Sequence, residues 1–344
     1  MSFTRLDPTD FVVSADSVVA PAWSNNATIL NSFFTASAST TGSFYIDVYN
    51  ASVASNTSSI QFSIAYGQLT GLGSSPLNSL VPSNTPSRIT FGQYRNLIYG
   101  DAESAVNFGT GNTSSIDLIA IPIDRNRYKE SLFPGTFNLQ LSGSGGSLIK
   151  LTDDSNDVTT ITYVDGGRVF NIVSGSNGSA ASSPLLSGAT AKGYTASGSY
   201  GLFLPDMGLI VLNPKALSLS AAGGGVGLSL STALTVGASS INHDAIFQII
   251  NKGASFQLNS QETVSSDYIF VRIKNAEYNY TTNPSFITGS GTLVFSNFIN
   301  SPQTFPTTVG MYNDNNELLA VAKLSKPLTK DFTKEALIRV KLDF

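Results

Sequence analysis

The sequence predicts a mainly β protein, built from antiparallel, sandwich-like sheets with a few short helices and long Gly/Ser-rich loops. Three observations carry that prediction. Apolar and polar residues alternate with a period of two in segment after segment, the pattern of a strand with one buried face. Clusters of Gly, Pro, Asn and Asp separate the segments at turn spacing. Helical periodicity is confined to two stretches and one short turn.

In chain order, Phe44, Ile46 and Val48 alternate with Tyr45, Asp47 and Tyr49, and Ile60, Phe62, Ile64 and Tyr66 alternate with Gln61, Ser63 and Ala65. The small polar run from Asn50 to Ser59 between them reads as a hairpin loop. A helix is expected over Ser87 to Tyr99, with Phe91, Tyr94, Leu97 and Ile98 near one face and Gly100 as its stop. Ile116 to Ile123, Phe137 to Leu141 and Leu148 to Thr152 read as strands, with a short turn near Arg125 to Ser131 and a hairpin tip over Ser142 to Ser147. Thr160 to Val164 and Val169 to Val173 flank Asp165-Gly166-Gly167, a strong hairpin turn. Leu202 to Leu204 and Leu209 to Leu212 flank Pro205-Asp206-Met207-Gly208. A second helix is expected over Asn242 to Lys252, with Asn242 as its cap and Ile246, Ile249 and Ile250 at helical spacing. Thr308 to Tyr312 and Leu318 to Leu324 form a hairpin across Asn313-Asp314-Asn315-Asn316, residues that tolerate turn conformations. The closing strand sets Ala336, Ile338, Val340, Leu342 and Phe344 on one face and Leu337, Arg339, Lys341 and Asp343 on the other. Its apolar end is expected to be tied down.

The Gly/Ser-rich stretches 174–199 and 218–240 read as flexible, exposed loops. A composition shift near residue 130 divides a β-rich region 1–130 from a second, 131–344, unless the whole chain is one domain.

Charge is the unusual feature of the composition. Asp, Glu, Lys and Arg make up 12% of the 344 residues, against roughly 25% in ordinary soluble domains. Hydroxyls and amides are easier to desolvate than ions, so such a surface suits extensive protein contact. Strands and tight turns of any Ser/Thr/Gly-rich β protein produce the same composition. The net charge is −4 and no basic run is present, which argues against a nucleic-acid partner. No apolar stretch reaches the ~20 residues of a spanning helix. Met1 to Pro8 lacks an apolar core and carries an early acid, so it does not read as a secretory signal. With no cysteine, disulfides, thiol catalysis and Cys-ligated zinc are excluded.

Catalytic constellations are poorly represented. The single histidine, His243, reads as a surface or cap-proximal residue, and no Gly-x-Ser-x-Gly elbow accompanies it. Asp153-Asp154-Ser155-Asn156-Asp157 opens like a calcium loop but lacks the glycine and glutamate that complete one, so it reads as a turn. Asp101 with Glu103 and Asp124 with Glu130 are the nearest to glycosidase-like carboxylate pairs, and scattered acids supply such pairs by chance. Gly223 to Gly227 lacks the frame of a phosphate loop. No cofactor or metal is called for. What remains is aromatics beside neutral polar runs, a composition shared by interface cores and ordinary cores. The residues expected in contacts are Tyr278, Tyr280, Phe286, Tyr312, Leu318 and Leu319.

Four stretches carry a family likeness. They are Leu6 to Ser14 with Ala20-Pro21-Ala22-Trp23-Ser24, Phe91-Gly92-Gln93-Tyr94-Arg95, Asp124-Arg125-Asn126-Arg127-Tyr128-Lys129-Glu130, and Gly310 to Ser325. Together they resemble virion structural proteins of contractile-tailed, T-even-like phages, particularly those of marine cyanobacteria. The resemblance implies a non-enzymatic part of the tail or baseplate, assembled in the host cytoplasm with other virion structural proteins and present in multiple copies. It brings no catalytic residues, and the charge and hydropathy patterns above call for no nucleic acid and no membrane. The alternatives are a fibre-like, receptor-binding adhesin for host surface glycan and an enzyme acting on the host envelope.

Overall fold

Every alternating segment named above contains a strand, because the intervening turns fold the chain back on itself and most of the apolar faces pack against others. The computed structural model describes residues 4–36, 43–78, 84–109, 113–143, 146–181, 185–280 and 283–343. Of the expectations above, Ser144 and Gly145 at the hairpin tip, positions 182–184 of the first Gly/Ser stretch and the terminal Phe344 lie outside those residues. Strand accounts for 37% and helix for 16%, so the protein is mainly β.

Strands β1 (Phe11–Pro21), β2 (Ile29–Leu30), β3 (Phe34–Thr35), β4 (Ile46–Tyr49) and β5 (Ile60–Gln68) precede helix α1 (Pro86–Tyr99). Then come β6 (Val106–Asn107), β7 (Ser114–Ser115), β8 (Asp117–Pro122), β9 (Ser131–Leu132), β10 (Asn138–Ser142) and β11 (Leu148–Asp153). β12 (Thr162–Val164), β13 (Gly167–Ser176), β14 (Ser179–Ala180), β15 (Gly201–Leu204) and β16 (Leu209–Leu212) lead to helices α2 (Pro214–Ser218) and α3 (Ala238–Gly253). The remaining elements are β17 (Phe256–Gln257), β18 (Asn259–Ile273), α4 (Asn297–Asn300), β19 (Thr308–Tyr312), β20 (Leu318–Lys323) and β21 (Ala336–Asp343).

The chain forms two compact units, one of Val18–Glu262 and one made from its two ends, Met1–Ser17 with Thr263–Phe344. The composition shift near residue 130 falls inside the larger unit. There β8, which precedes the shift, pairs with β16, which follows it.

The larger unit is a 13-stranded sheet running β2-β17-β10-β11-β13-β15-β16-β8-β5-β4-β3, with β12 and β14 attached to β13. Its end strands, β2 and β3, are joined by Asn31-Ser32-Phe33 alone, a link that spans at most ~14 Å. The sheet therefore curls until its ends approach. Rings from opposite ends touch: Phe62 of β5 lies 5.4 Å from Phe256 of β17, centroid to centroid, and Trp23 lies 4.7 Å from Phe256. The Trp23 Nε1–H donates to the Phe256 carbonyl at 2.8 Å. One face of the sheet carries Ile64, Ile121, Leu139, Ile172, Phe203 and Ile210, packed with Ile246, Ile249 and Ile250 of α3. Alternate residues of the same strands, including Ala65, Leu118, Leu204 and Val211, pack with Phe91 and Ile98 of α1. β15 and β16 are thus buried on both faces, the physical reason that they read as unbroken apolar runs.

Helix α1 is capped by Thr85, whose Oγ1 accepts from the Arg88 N–H at 3.3 Å, and Gly100 ends it with φ of 69°. Helix α3 begins at Ala238 rather than at Asn242. Asn242 is buried inside it, accepting from the Ser231 N–H at 2.6 Å and donating to Gly73 O at 3.2 Å. Because α3 packs against β5 and β10, its first turns are covered. His243 is therefore buried in the second turn of α3, where the sequence pointed to a surface or cap-proximal position, and its Nε2 accepts the Tyr66 N–H at 3.2 Å. Gly253 is required by the same packing: a Cβ there would collide with the Gln140 carbonyl. The two Gly/Ser stretches are only partly exposed. Thr195, Ser199, Val226 and Leu228 are all buried.

Candidate interaction surface

In the end unit, β18 pairs antiparallel with β21 over eight positions, from Ser266↔Asp343 to Ile273↔Ala336. The closing strand is thus held from Ala336 to Asp343. Period two sends Ile269, Val271 and Ile273 with Ile338 and Val340 to one face. Val309, Met311, Ala322 and Leu324 of the β19–β20 hairpin pack on that face. The other face holds Tyr268 opposite Lys341 and Phe270 opposite Arg339. There the Arg339 guanidinium lies 5.6 Å from the Tyr268 ring centre, and Lys341 pairs with Asp343 at 2.9 Å. Hydrogen bonding from Ser266 and Lys341 lowers the Asp343 pKa. Arg272 pairs with Asp10 at 2.8 Å.

The hairpin's second face is apolar and open. Register runs Thr308↔Lys323, Gly310↔Val321, Met311↔Ala320 and then Tyr312↔Leu318, so Leu319 is an extra residue on β20. This bulge turns both Leu318 and Leu319 outward. They are 53% and 68% exposed, beside Val321 at 57% and Tyr312 at 40%. A Cβ on Gly310 would meet the Tyr312 ring and Leu318, so that ring lies over the glycine. The structure therefore brings Tyr312, Leu318 and Leu319 together on one face and adds Val321. The i, i+2 spacing of Leu319 and Val321 was readable, but alternation alone does not say which face meets water.

The other three expected residues lie in the irregular stretch between β18 and β19. Tyr278 and Tyr280 are exposed, and Tyr278 adopts a left-handed φ of 53°. Its carbonyl accepts from Thr304 Oγ1 at 2.5 Å. Phe286 is half-buried, edge-on to Phe295 and Phe298 with centroids at 5.4 and 5.7 Å. The stretch is pinned by Lys330, which is fully buried and donates to Asn275 O, Asn279 Oδ1 and Asp331 O, each at 2.9 Å. No sequence signal marked Lys330, since the partners in Asn275 and Asn279 lie more than fifty positions away.

Most of the acids weighed for chemistry make hydrogen bonds or ion pairs within the fold. Asp153 Oδ2 accepts from Gly135 N and Ser155 N, Asp154 accepts from the Asn171 backbone and side chain, and Asp157 accepts from Ala180 N. Burial pushes the pKa values of Asp153 and Asp154 upward. Asp101 and Glu103 pair with Arg95 and Arg88, and Asp124 caps the Arg125–Arg127 turn. Among the described residues, no group of three or more His, Asp or Glu is placed to hold a metal. An open groove of about 650 Å³ beside β11, β13 and β14 is lined by Lys150, Ser174, Ser179 and Tyr200. No described helix is long and apolar enough to cross a membrane. Comparison with protein families, with characterised proteins and with solved structures finds no match to this chain.

Proposed function

We propose that this chain is a non-enzymatic structural component of a phage virion, placed in the tail or baseplate and acting through protein–protein contacts with other virion proteins. The single observation that carries the assembly part is the outward face of the β19–β20 hairpin. It presents Tyr312, Leu318, Leu319 and Val321 to solvent on an element whose opposite side is already packed. Contiguous apolar patches of this kind mark contact surfaces. The virion setting comes from the resemblance of the four sequence stretches to tailed-phage structural proteins.

The adhesin reading calls for exposed aromatics over a shallow groove. In one groove of the larger unit the aromatic is Tyr200, which is buried with its hydroxyl donating to Gly224 O at 2.7 Å. The test is to locate the chain by electron cryomicroscopy in intact tailed-phage particles. Density in the tail or baseplate, with the hairpin face covered by a neighbour, is the expected result. Density only at an exposed tip, or none in the particle, overturns it.

A further inference from the structure

We propose that the outer face of the β19–β20 hairpin docks on the same face of a second copy of this chain, about a two-fold axis that crosses the strands at right angles. This rests on the assembly reading and names one partner within it. The centre of the face, Tyr312, Leu318, Leu319 and Val321, carries no charge, whereas its two ends carry opposite charges. Exposed Lys323 stands opposite Thr308 at the open end, and exposed Asp314 and Glu317 stand at the turn end. The length of β20 separates Lys323 from Glu317, ~20 Å at the usual rise.

A two-fold axis is self-complementary only when each feature meets its opposite. With the axis across the strands, the turn end of each hairpin lies on the open end of the other. Lys323 of each copy then faces Asp314 and Glu317 of its mate while the apolar centres meet. With the axis along the strands, acid faces acid and lysine faces lysine, which like-charge repulsion disfavours. The charge pattern thus selects both the occupant and its orientation. A single hairpin face is smaller than the ~800 Å² per partner of a standard complex. The isolated contact is therefore weak, and it strengthens where many copies are held in one particle.

Sedimentation velocity of the full chain across a wide micromolar range tests this. The wild-type chain is expected to pass reversibly from monomer to dimer. Lys323→Glu and Glu317→Lys, each alone, should weaken the dimer roughly tenfold or more. Mixing the two variants should restore it. In the mixed pair the two reversed charges face each other at one end, and the unaltered Lys323 and Glu317 face each other at the other. Leu319→Asp should abolish the dimer. Unchanged thermal unfolding of the variants separates lost contact from lost fold. A wild-type chain that stays monomeric, a dimer indifferent to either reversal, or a mixture that fails to recover overturns the proposal. If the wild-type chain is monomeric but Leu319→Asp still blocks incorporation into particles, the hairpin docks on a different chain. The second-copy proposal then falls while the assembly reading stands.

Discussion

The two units treat the same building element differently. In the larger unit the central strands are covered on both faces, by α3 and the facing strands on one side and by α1 on the other. Phe62 and Phe256 meet across its two ends. Among the described residues of the end unit, only Ile269, Ile273, Ile338 and Val340 are buried apolar side chains, while Val13, Ile299, Phe305, Leu319, Val321 and Leu337 are each more than half exposed. The curled sheet packs its inner face against facing strands and α3. In the end unit the hairpin packs on the β18–β21 sheet with one face, and apolar side chains of its other face stay exposed. Most of the buried apolar side chains lie in the larger unit, so core substitutions there are expected to cost the most stability.

Four experiments test that contrast. Phe256→Ala should produce the largest loss, about 3–5 kcal/mol, read as a lowered denaturant midpoint. A loss below about 1 kcal/mol would mean that the meeting of the sheet ends is not what stabilises the larger unit. Lys330→Met comes next. It leaves Asn275 O, Asn279 Oδ1 and Asp331 O without their shared donor and should cost about 3 kcal/mol, seen as hydrogen exchange opening across 274–305. Exchange confined to the larger unit would refute the pinning role.

The third experiment is a pH series of unfolding midpoints. Burial raises the Asp153 pKa above its unfolded value, ~3.9. The stability linked to its protonation is therefore present below that value and is lost as pH rises through the folded one. Asp153→Asn should remove this decline. Asp206 behaves oppositely. Burial works to raise its pKa, but the bonds and charge of Arg168 outweigh this and lower it. Its contribution is present above the unfolded value and lost as pH falls through the folded one. With both side chains partly exposed, Asp206→Asn should cost only about 1 kcal/mol. A pH profile that is the same for both variants would contradict these assignments. The smallest effect belongs to Leu319→Ser, expected to change stability by less than about 0.5 kcal/mol. A larger loss would show that Leu319 is part of the folded core and not a contact residue.

Much of the strand framework was legible in the sequence. The pairs Ile46↔Ile64, Thr162↔Val169, Leu204↔Leu209 and Thr308↔Lys323 join segments close in the chain, and their turns carry the residues that such turns require. β1 and β18 carry no local strand signal. β18 begins Asn-Ser-Gln-Glu-Thr, without an alternating apolar face, and β1 has nearly all its residues exposed. Their pairing is long-range, so no local pattern announces it. The hairpin residues Tyr312, Leu318 and Leu319 were readable as apolar positions of a strand pair. Their outward aim was not, because it depends on a bulge and on which face the sheet beneath already covers.

By itself, the sequence determined the β class, most strand positions, the hairpin turns and helix α1. Each of these follows from side-chain periodicity or backbone preference acting over a few residues. Tertiary structure alone decided that the sheet curls until Phe62 meets Phe256, that His243 and Lys330 are buried, and that one hairpin face stays open. These outcomes depend on which distant surfaces fit together, and that fit is a property of the packed chain rather than of any short segment.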